Sequence, residues 1–213
     1  MVSALMLAAA LAQPIVTPRV ALVAYAKPCE AGMTTLTADT RQSGIRWKGT
    51  KFLGLGSHEG TVALRSGMVC MRDGRITRAM FIADMRSIEV TDIPASDPVP
   101  RKRLRDHLLS EDFFHATKYP EAVLFINSVR HESGSLYALG GTLEMRGVTH
   151  PISFYARVSE MSPARVRADA TIEVDRHRWG VKYRGSALKD DLVDDVFTLR
   201  LTLLATGPAT ASR

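Results

Sequence analysis

Cysteine is scarce in this chain: it has two, Cys29 and Cys70, in 213 residues. Two thiols alone do not make a zinc site, which needs three or four protein ligands. The six histidines do not complete one, because His58, His107, His115, His131, His150 and His177 form no HxH, HExxH or Cys/His ligand spacing. The acidic group Asp190, Asp191, Asp194 and Asp195 lacks the Asp-x-Asp-x-Asp-Gly loop of a calcium site, and it reads more simply as a turn entering the last strand. GxSxG is absent, and Gly54-Leu55-Gly56 is too short for a phosphate-cradling loop. No nucleophile, metal or phosphate constellation emerges, so the sequence reads as a non-enzyme without a cofactor.

Long runs are missing as well. The densest basic stretch is RKRLR, 101–105, and Leu104 interrupts it. Net charge is +6 and the isoelectric point is near 9.6. That charge favours anionic surfaces, but no nucleic-acid motif accompanies it, and nucleic acid is not an expected partner. A bilayer-spanning helix needs about 20 apolar residues, and the apolar run VSALMLAAALAQ, 2–13, is shorter. It ends in Ala10-Leu11-Ala12, the small-residue pattern of a secretory cleavage site. Residues 1–33 are expected to lie outside the fold, as a signal peptide or a disordered N-terminal segment, and the protein is expected to be periplasmic or secreted. In an oxidising compartment Cys29 and Cys70 are free to pair; sequence leaves that open.

What the chain has in abundance is period two. In ARVRADATIEV, Ala164, Val166, Ala168, Ala170, Ile172 and Val174 share one face, with Arg165, Arg167, Asp169, Thr171 and Glu173 on the other. FTLRLTLL places Phe197, Leu199, Leu201 and Leu203 together, and ISFYARV does the same for Ile152, Phe154, Ala156 and Val158. LYALGGTLEM gives Tyr137, Leu139, Gly141, Leu143 and Met145; VLFINSV gives Val123, Phe125 and Val129; GIRWKGT gives Ile45 and Trp47. Asp73-Gly74, Ser133-Gly134, the stretch Arg146 to Thr149 and the stretch Glu160 to Pro163 separate the runs as turns. Eight or more consecutive strands with one apolar face each predict an antiparallel meander closed into a barrel. One segment breaks the pattern. RKRLRDHLLSEDFF sets Leu104, His107, Leu108 and Leu109 at helical spacing and predicts a short inserted helix. A single domain spans 34–206, and 207–213 is a flexible tail.

The predicted inner faces are apolar and include small residues, notably Ala156, Ala164, Ala168, Ala170 and Gly141. These either leave room for an apolar guest or fit the taper of a filled barrel. Phe113 and Phe114, an aromatic pair in a charged segment, either line a barrel mouth or pack the helix onto the wall.

Four blocks carry a resemblance to a known family: GIRWKGTKFLGLGSHEGTV (44–62), FIADMRSIEVTD (81–92), HLLSEDFFHATKYPEAVLF (107–125), and a fourth running from GGTLEMRGVTHPISF (140–154) through VDRHRWGVKYRG (174–185) to DDLVDDVFTLRLTLLA (190–205). The chain resembles the YceI-like family of periplasmic polyisoprenoid-binding proteins over about 36–206. That resemblance implies an all-β fold, an extended eight-stranded antiparallel lipocalin-like barrel with a helix at one end. It also implies an apolar channel for a long-chain isoprenoid or similar lipid. The candidate ligand-binding residues are Trp47, Phe52, His58, Phe81, His107, Phe113, Phe114, Phe125, Ala168, Arg176, Trp179 and Tyr183. His58 and His107 either hydrogen-bond a head group or serve structure. Arg176 either meets a diphosphate or forms a salt bridge with Asp175 or Asp84. Membrane-surface contact and a homodimer stay open. The competing reading is an envelope structural or stress-associated interaction protein with a filled barrel.

Overall fold

Two dipeptides reverse the chain with positive φ at both positions: Asp73 (51°) with Gly74 (72°), and Arg146 (55°) with Gly147 (74°). Such turns match the right-handed twist of the strands they join. They connect long strands in the computed structural model, which describes residues 29–51, 55–182 and 193–207. In chain order the strands are β1 (Thr34–Ala38), β2 (Gly44–Lys51), β3 (Gly56–Arg72), β4 (Arg75–Val90), β5 (Glu121–Ser133), β6 (Leu136–Met145), β7 (Val148–Ser162), β8 (Arg165–Asp175) and β9 (Val193–Thr206). One helix, α1 (Pro98–Leu109), lies between β4 and β5, and a 3₁₀ turn covers Arg176–Trp179.

The strands form one antiparallel sheet in the order β3-β2-β9-β8-β7-β6-β5-β4, and pairing of β3 with β4 closes it into the expected eight-stranded barrel. β1 is an extra strand. It pairs with the far half of β3 (Thr34–Thr37 against Met71–Met68) and with the end of β9, so β1 and β2 occupy one position in the barrel in succession. The break between them is a tight loop. The Asp39 carboxylate accepts from the backbone N–H groups of Arg41 (2.9 Å) and Gln42 (3.3 Å) and from the Gln42 side chain (2.8 Å). The Ser43 hydroxyl, buried, accepts from Leu204 N (3.0 Å) and donates to Leu204 O (3.3 Å).

Several boundaries differ from the sequence expectation. β7 runs on through Ser162, so the turn shrinks to Pro163 and Ala164, and Ala164 is in the turn, not on a strand face. Proline has no N–H to give to a ladder, which suits it to the turn. Val148 and Thr149 already belong to β7. The helix stops at Leu109, before the Phe pair, because Ser110 is extended (ψ 171°) and its hydroxyl donates to His107 O (2.8 Å). α1 carries two prolines in its first turn, where their missing N–H groups are tolerated, and it docks on β4 through Arg105 Nε to Ile88 O (3.0 Å) and an Arg105–Glu89 ion pair (3.1 Å).

The apolar residues form two clusters, one toward each end of the barrel. The cluster near α1 includes Ile88, Val90, Trp179 and Val181. The one near the β3–β4 hairpin includes Leu36, Val69, Val166 and Ala205. Before β1, Cys29 is disulfide-bonded to Cys70 of β3, which settles the pairing that sequence left open, and Glu30 forms ion pairs with Arg72 (3.4 Å) and Arg78 (2.6 Å).

Candidate functional site: an apolar channel

A continuous cavity of about 160 Å³ runs through the barrel between the two clusters. On the usual allowance per water, that is room for about a dozen water-sized groups. On β4 its wall extends from Ile76 to Ile88. The twelve residue-to-residue steps between them on a tilted strand correspond to about 30 Å along a barrel axis. The cavity's lining is almost wholly apolar: Tyr137 brings a polar-tipped side chain to it, while Asp169 and Thr202 border it and hydrogen-bond to each other on the exposed face (2.9 Å). A cavity with such a lining gives water few partners, and it suits an apolar guest.

The wall is built by alternation. β7 contributes Ile152, Phe154, Ala156 and Val158; β8 contributes Val166, Ala168, Ala170 and Ile172; β9 contributes Phe197, Leu199, Leu201 and Leu203. Of the candidate residues, Trp47, Phe81, Phe114 and Ala168 are on this wall. Trp47 keeps its indole N–H satisfied by donating to Glu89 O (3.2 Å). Gly60 makes this possible: a Cβ there would overlap the Glu89 carbonyl oxygen and crowd the Trp47 ring.

Phe113 and Phe114 divide the two roles between them. Phe114 faces the channel and meets Phe197 edge-on (ring centroids 6.2 Å, 81°). Phe113 is buried behind it, edge-on to Phe114 at 4.9 Å and tilted against the His107 ring at 5.7 Å. His107 does not line the cavity. Neither does His58, whose Nδ1 lies 2.8 Å from the Asp92 carboxylate on the outer surface. Phe125 also lies off the wall; Leu124 and Ile126 take its place. The physical reason is a bulge in β5 between Ile126 and Ser128, which inverts the alternation so that Leu124, Ile126 and Val129 share a face.

Arg176 is 2% exposed, and its guanidinium is directed at the main chain. Nη1 donates to Val181 O (3.1 Å), Nη2 to Val193 O (3.0 Å) and Nε to Asp194 O (3.2 Å), with the Asp195 carboxylate 3.7 Å away. Among the described residues its acidic partner is therefore Asp195, not Asp175 or Asp84. Asp84 is bound by Arg86 (3.2 Å) and Asp175 caps the 3₁₀ turn through His177 N (2.9 Å). Trp179 is buried off the channel, donating to Leu143 O (3.0 Å). Phe52 and Tyr183 lie outside the described residues, as do Asp190 and Asp191. Asp194 accepts from Thr50 Oγ1, and Asp195 lies 2.7 Å from His177 Nε2.

Sequence reasoning left out Ile76, Ala79, Ala83, Met85 and Ile88 of β4 as site residues. The apolar signal was there, but its parity changes between Ile76 and Ala79 and again between Met85 and Ile88. Irregularities in the β3–β4 register cause this, so a strict period of two does not expose the face.

A closed eight-stranded antiparallel barrel with an apolar interior and one inserted helix defines a lipocalin-like barrel protein. The model of the YceI-like domain matches residues 36–205, and the chain belongs to that family. Among solved structures, BcnA from Burkholderia cenocepacia is similar in fold (TM-score 0.64, 19% identity, 79% of this chain and 99% of that one). So is a polyisoprenoid-binding domain from Saccharophagus degradans implicated in plant cell wall breakdown (TM-score 0.61, 16% identity, 82% and 99%). The Campylobacter jejuni YceI protein is more distant (TM-score 0.50, 16% identity, 63% and 75%). No curated protein matches the sequence.

Proposed function

We propose that this protein is a non-catalytic carrier that sequesters or transports a long isoprenoid or similar lipid chain in its channel. The observation that carries the reading is the continuous apolar cavity extending through both core clusters. Each buried CH₂ contributes about 0.8 kcal/mol, so a dozen chain carbons would supply about 10 kcal/mol before losses of freedom. The polyisoprenoid-binding domain with the same fold supports the choice of ligand class. A periplasmic or secreted location is part of the proposal. The Cys29–Cys70 disulfide supports it, since such bonds persist in oxidising compartments, and so does the apolar run ending in Ala10-Leu11-Ala12.

The test is mass spectrometry of an organic extract from protein expressed in a bacterium with its export signal and purified without detergent. One dominant polyprenyl species near one per barrel is the expected result. A folded protein that carries no lipid and takes up no added polyprenyl quinone would overturn the carrier reading in favour of a filled-barrel interaction protein.

A further inference from the structure

The barrel wall is not paired throughout. β7 and β8 are joined only from Ala156–Ala170 to Ser162–Arg165. Toward the α1 end, β7 continues to pair with β6 back to Val148, and β8 continues to pair with β9 out to Asp175, but no ladder links Val148–Tyr155 to Thr171–Asp175. The two strands part there. The 3₁₀ turn bounds the split at its upper end, with Arg178 Nη2 donating to Pro151 O (3.2 Å) and His150 Nε2 2.7 Å from Arg178 O. An outer groove lies along the split, and Phe154, Ala156, Ala170 and Leu201 border both that groove and the internal channel. At this place two alanines, Ala156 and Ala170, stand beside Phe154 and Leu201 between inside and outside.

The groove is basic. Arg46 and Arg200 are direct cross-strand partners, and Thr171, at the edge of the split, is the next partner of Arg200. Like charges placed opposite each other on a sheet repel. Arg46 has only a distant ion pair with Glu59 (3.9 Å), and Arg200 has none among the described residues. Arg157 flanks the lower end of the split opposite Asp169, and it too has no ion pair among the described residues. Asp169 instead accepts from Thr202 (2.9 Å). An oxyanion in the groove would relieve the Arg46–Arg200 repulsion, and strand spacing of about 4.8 Å puts Arg200 within side-chain reach of the split.

Building on the carrier reading above, we infer that the β7–β8 split is a side port of the channel, where the oxyanion head group of the lipid lies against Arg200, Arg46 and Arg157 while its chain enters the cavity. The chemistry required is a phosphate or diphosphate. Arginine suits it because its guanidinium offers a planar fork of donors.

The experiment compares binding of a polyprenyl phosphate and the polyprenol of equal length to the full chain, at fixed ionic strength, by tryptophan quenching. The unmodified protein is expected to prefer the phosphate at least tenfold. That preference should fall to about twofold in an Arg200→Gln/Arg157→Gln variant and survive in Arg103→Gln, which removes a charge on α1. Equal affinity of the unmodified protein for both lipids, or an undiminished preference in the double variant, would overturn the side-port assignment and leave the carrier reading standing. Binding of neither lipid would overturn both. A third titration uses inorganic phosphate. Binding as tight as that of the lipid phosphate would make the groove a free-anion site and overturn the head-group assignment; negligible binding supports it. Should the double variant fold poorly by circular dichroism, Arg200→Lys serves in its place. It keeps the charge but loses the fork, and a several-fold drop in preference is expected.

Discussion

The ring of Phe114 stands edge-on to Phe197, centroids 6.2 Å apart, and so joins the segment after α1 to the first apolar position of β9 on the channel wall. Edge-on aromatic pairs contribute about 0.5–1.5 kcal/mol beyond area burial. A double-mutant cycle of Phe114→Ala and Phe197→Ala is therefore expected to give a coupling of about 1 kcal/mol in urea unfolding. Phe114→Ala alone should cost about 2–3 kcal/mol, below the fully buried range because the ring is half-buried. Strict additivity would mean that the two rings do not support each other.

Ala168 lines the channel on β8 and faces Val158 and Leu203 across the ladder. Ala168→Trp should fill the bore at this level and abolish lipid uptake. Overpacking costs about 1–3 kcal/mol, so the barrel should keep its far-ultraviolet spectrum. A variant that copurifies with a full complement of lipid would show that the chain does not pass this residue.

Arg176 holds carbonyl oxygens from both sides of the segment between Val181 and Val193. Replacing it with methionine strips the carbonyls of Val181, Val193 and Asp194 of their donor. Each buried group left unsatisfied costs about 1–3 kcal/mol, so a loss of about 3 kcal/mol or more is expected. Lysine should rescue little, because one ammonium cannot reproduce the fork. Unchanged stability with lost ligand affinity would instead make Arg176 a ligand contact.

The Cys29–Cys70 bond closes a sequence separation of 41 residues that includes β1 and β2. Loop-closure entropy at this length predicts about 4 kcal/mol. Unfolding measured with and without reductant, and in Cys29→Ser/Cys70→Ser, should show a loss approaching that value. A midpoint insensitive to reductant would mean that the segment before β1 adds nothing to the barrel.

The backbone N–H of Arg41 and the side chain of Gln42 hold the Asp39 carboxyl below its ordinary value of 3.8. A depressed folded-state pKa adds stability above the unfolded value, and that stability is lost as pH falls through the folded one. Asp39→Ala should thus melt lower than the parent at pH 7, with the gap closing below about pH 4. A gap independent of pH would assign the effect to the turn backbone and not to the charge.

Local alternation makes much of this protein legible in its sequence. The inward residues of β7, β8 and β9 named from period two line the channel, apart from Ala164 at the Pro163 turn and Val174, which is buried in the core near α1. The hairpin at Asp73-Gly74 is marked by its own residues. These features depend on neighbours in the chain, and sequence contains them. Partner-dependent features are not legible there. Bulges turn Phe125 off the wall and bring β4 residues onto it with mixed parity, because register is set jointly by two strands. Arg176 reads in the sequence as either a head-group contact or a salt-bridge partner of Asp175 or Asp84, whereas burial directs it to main-chain oxygens, two of them well beyond its own turn. His58 finds Asp92, 34 residues away, on the outer surface. The parting of β7 from β8 is written in neither strand alone: each is an ordinary alternating segment, and only the closing of the barrel decides where their ladder ends.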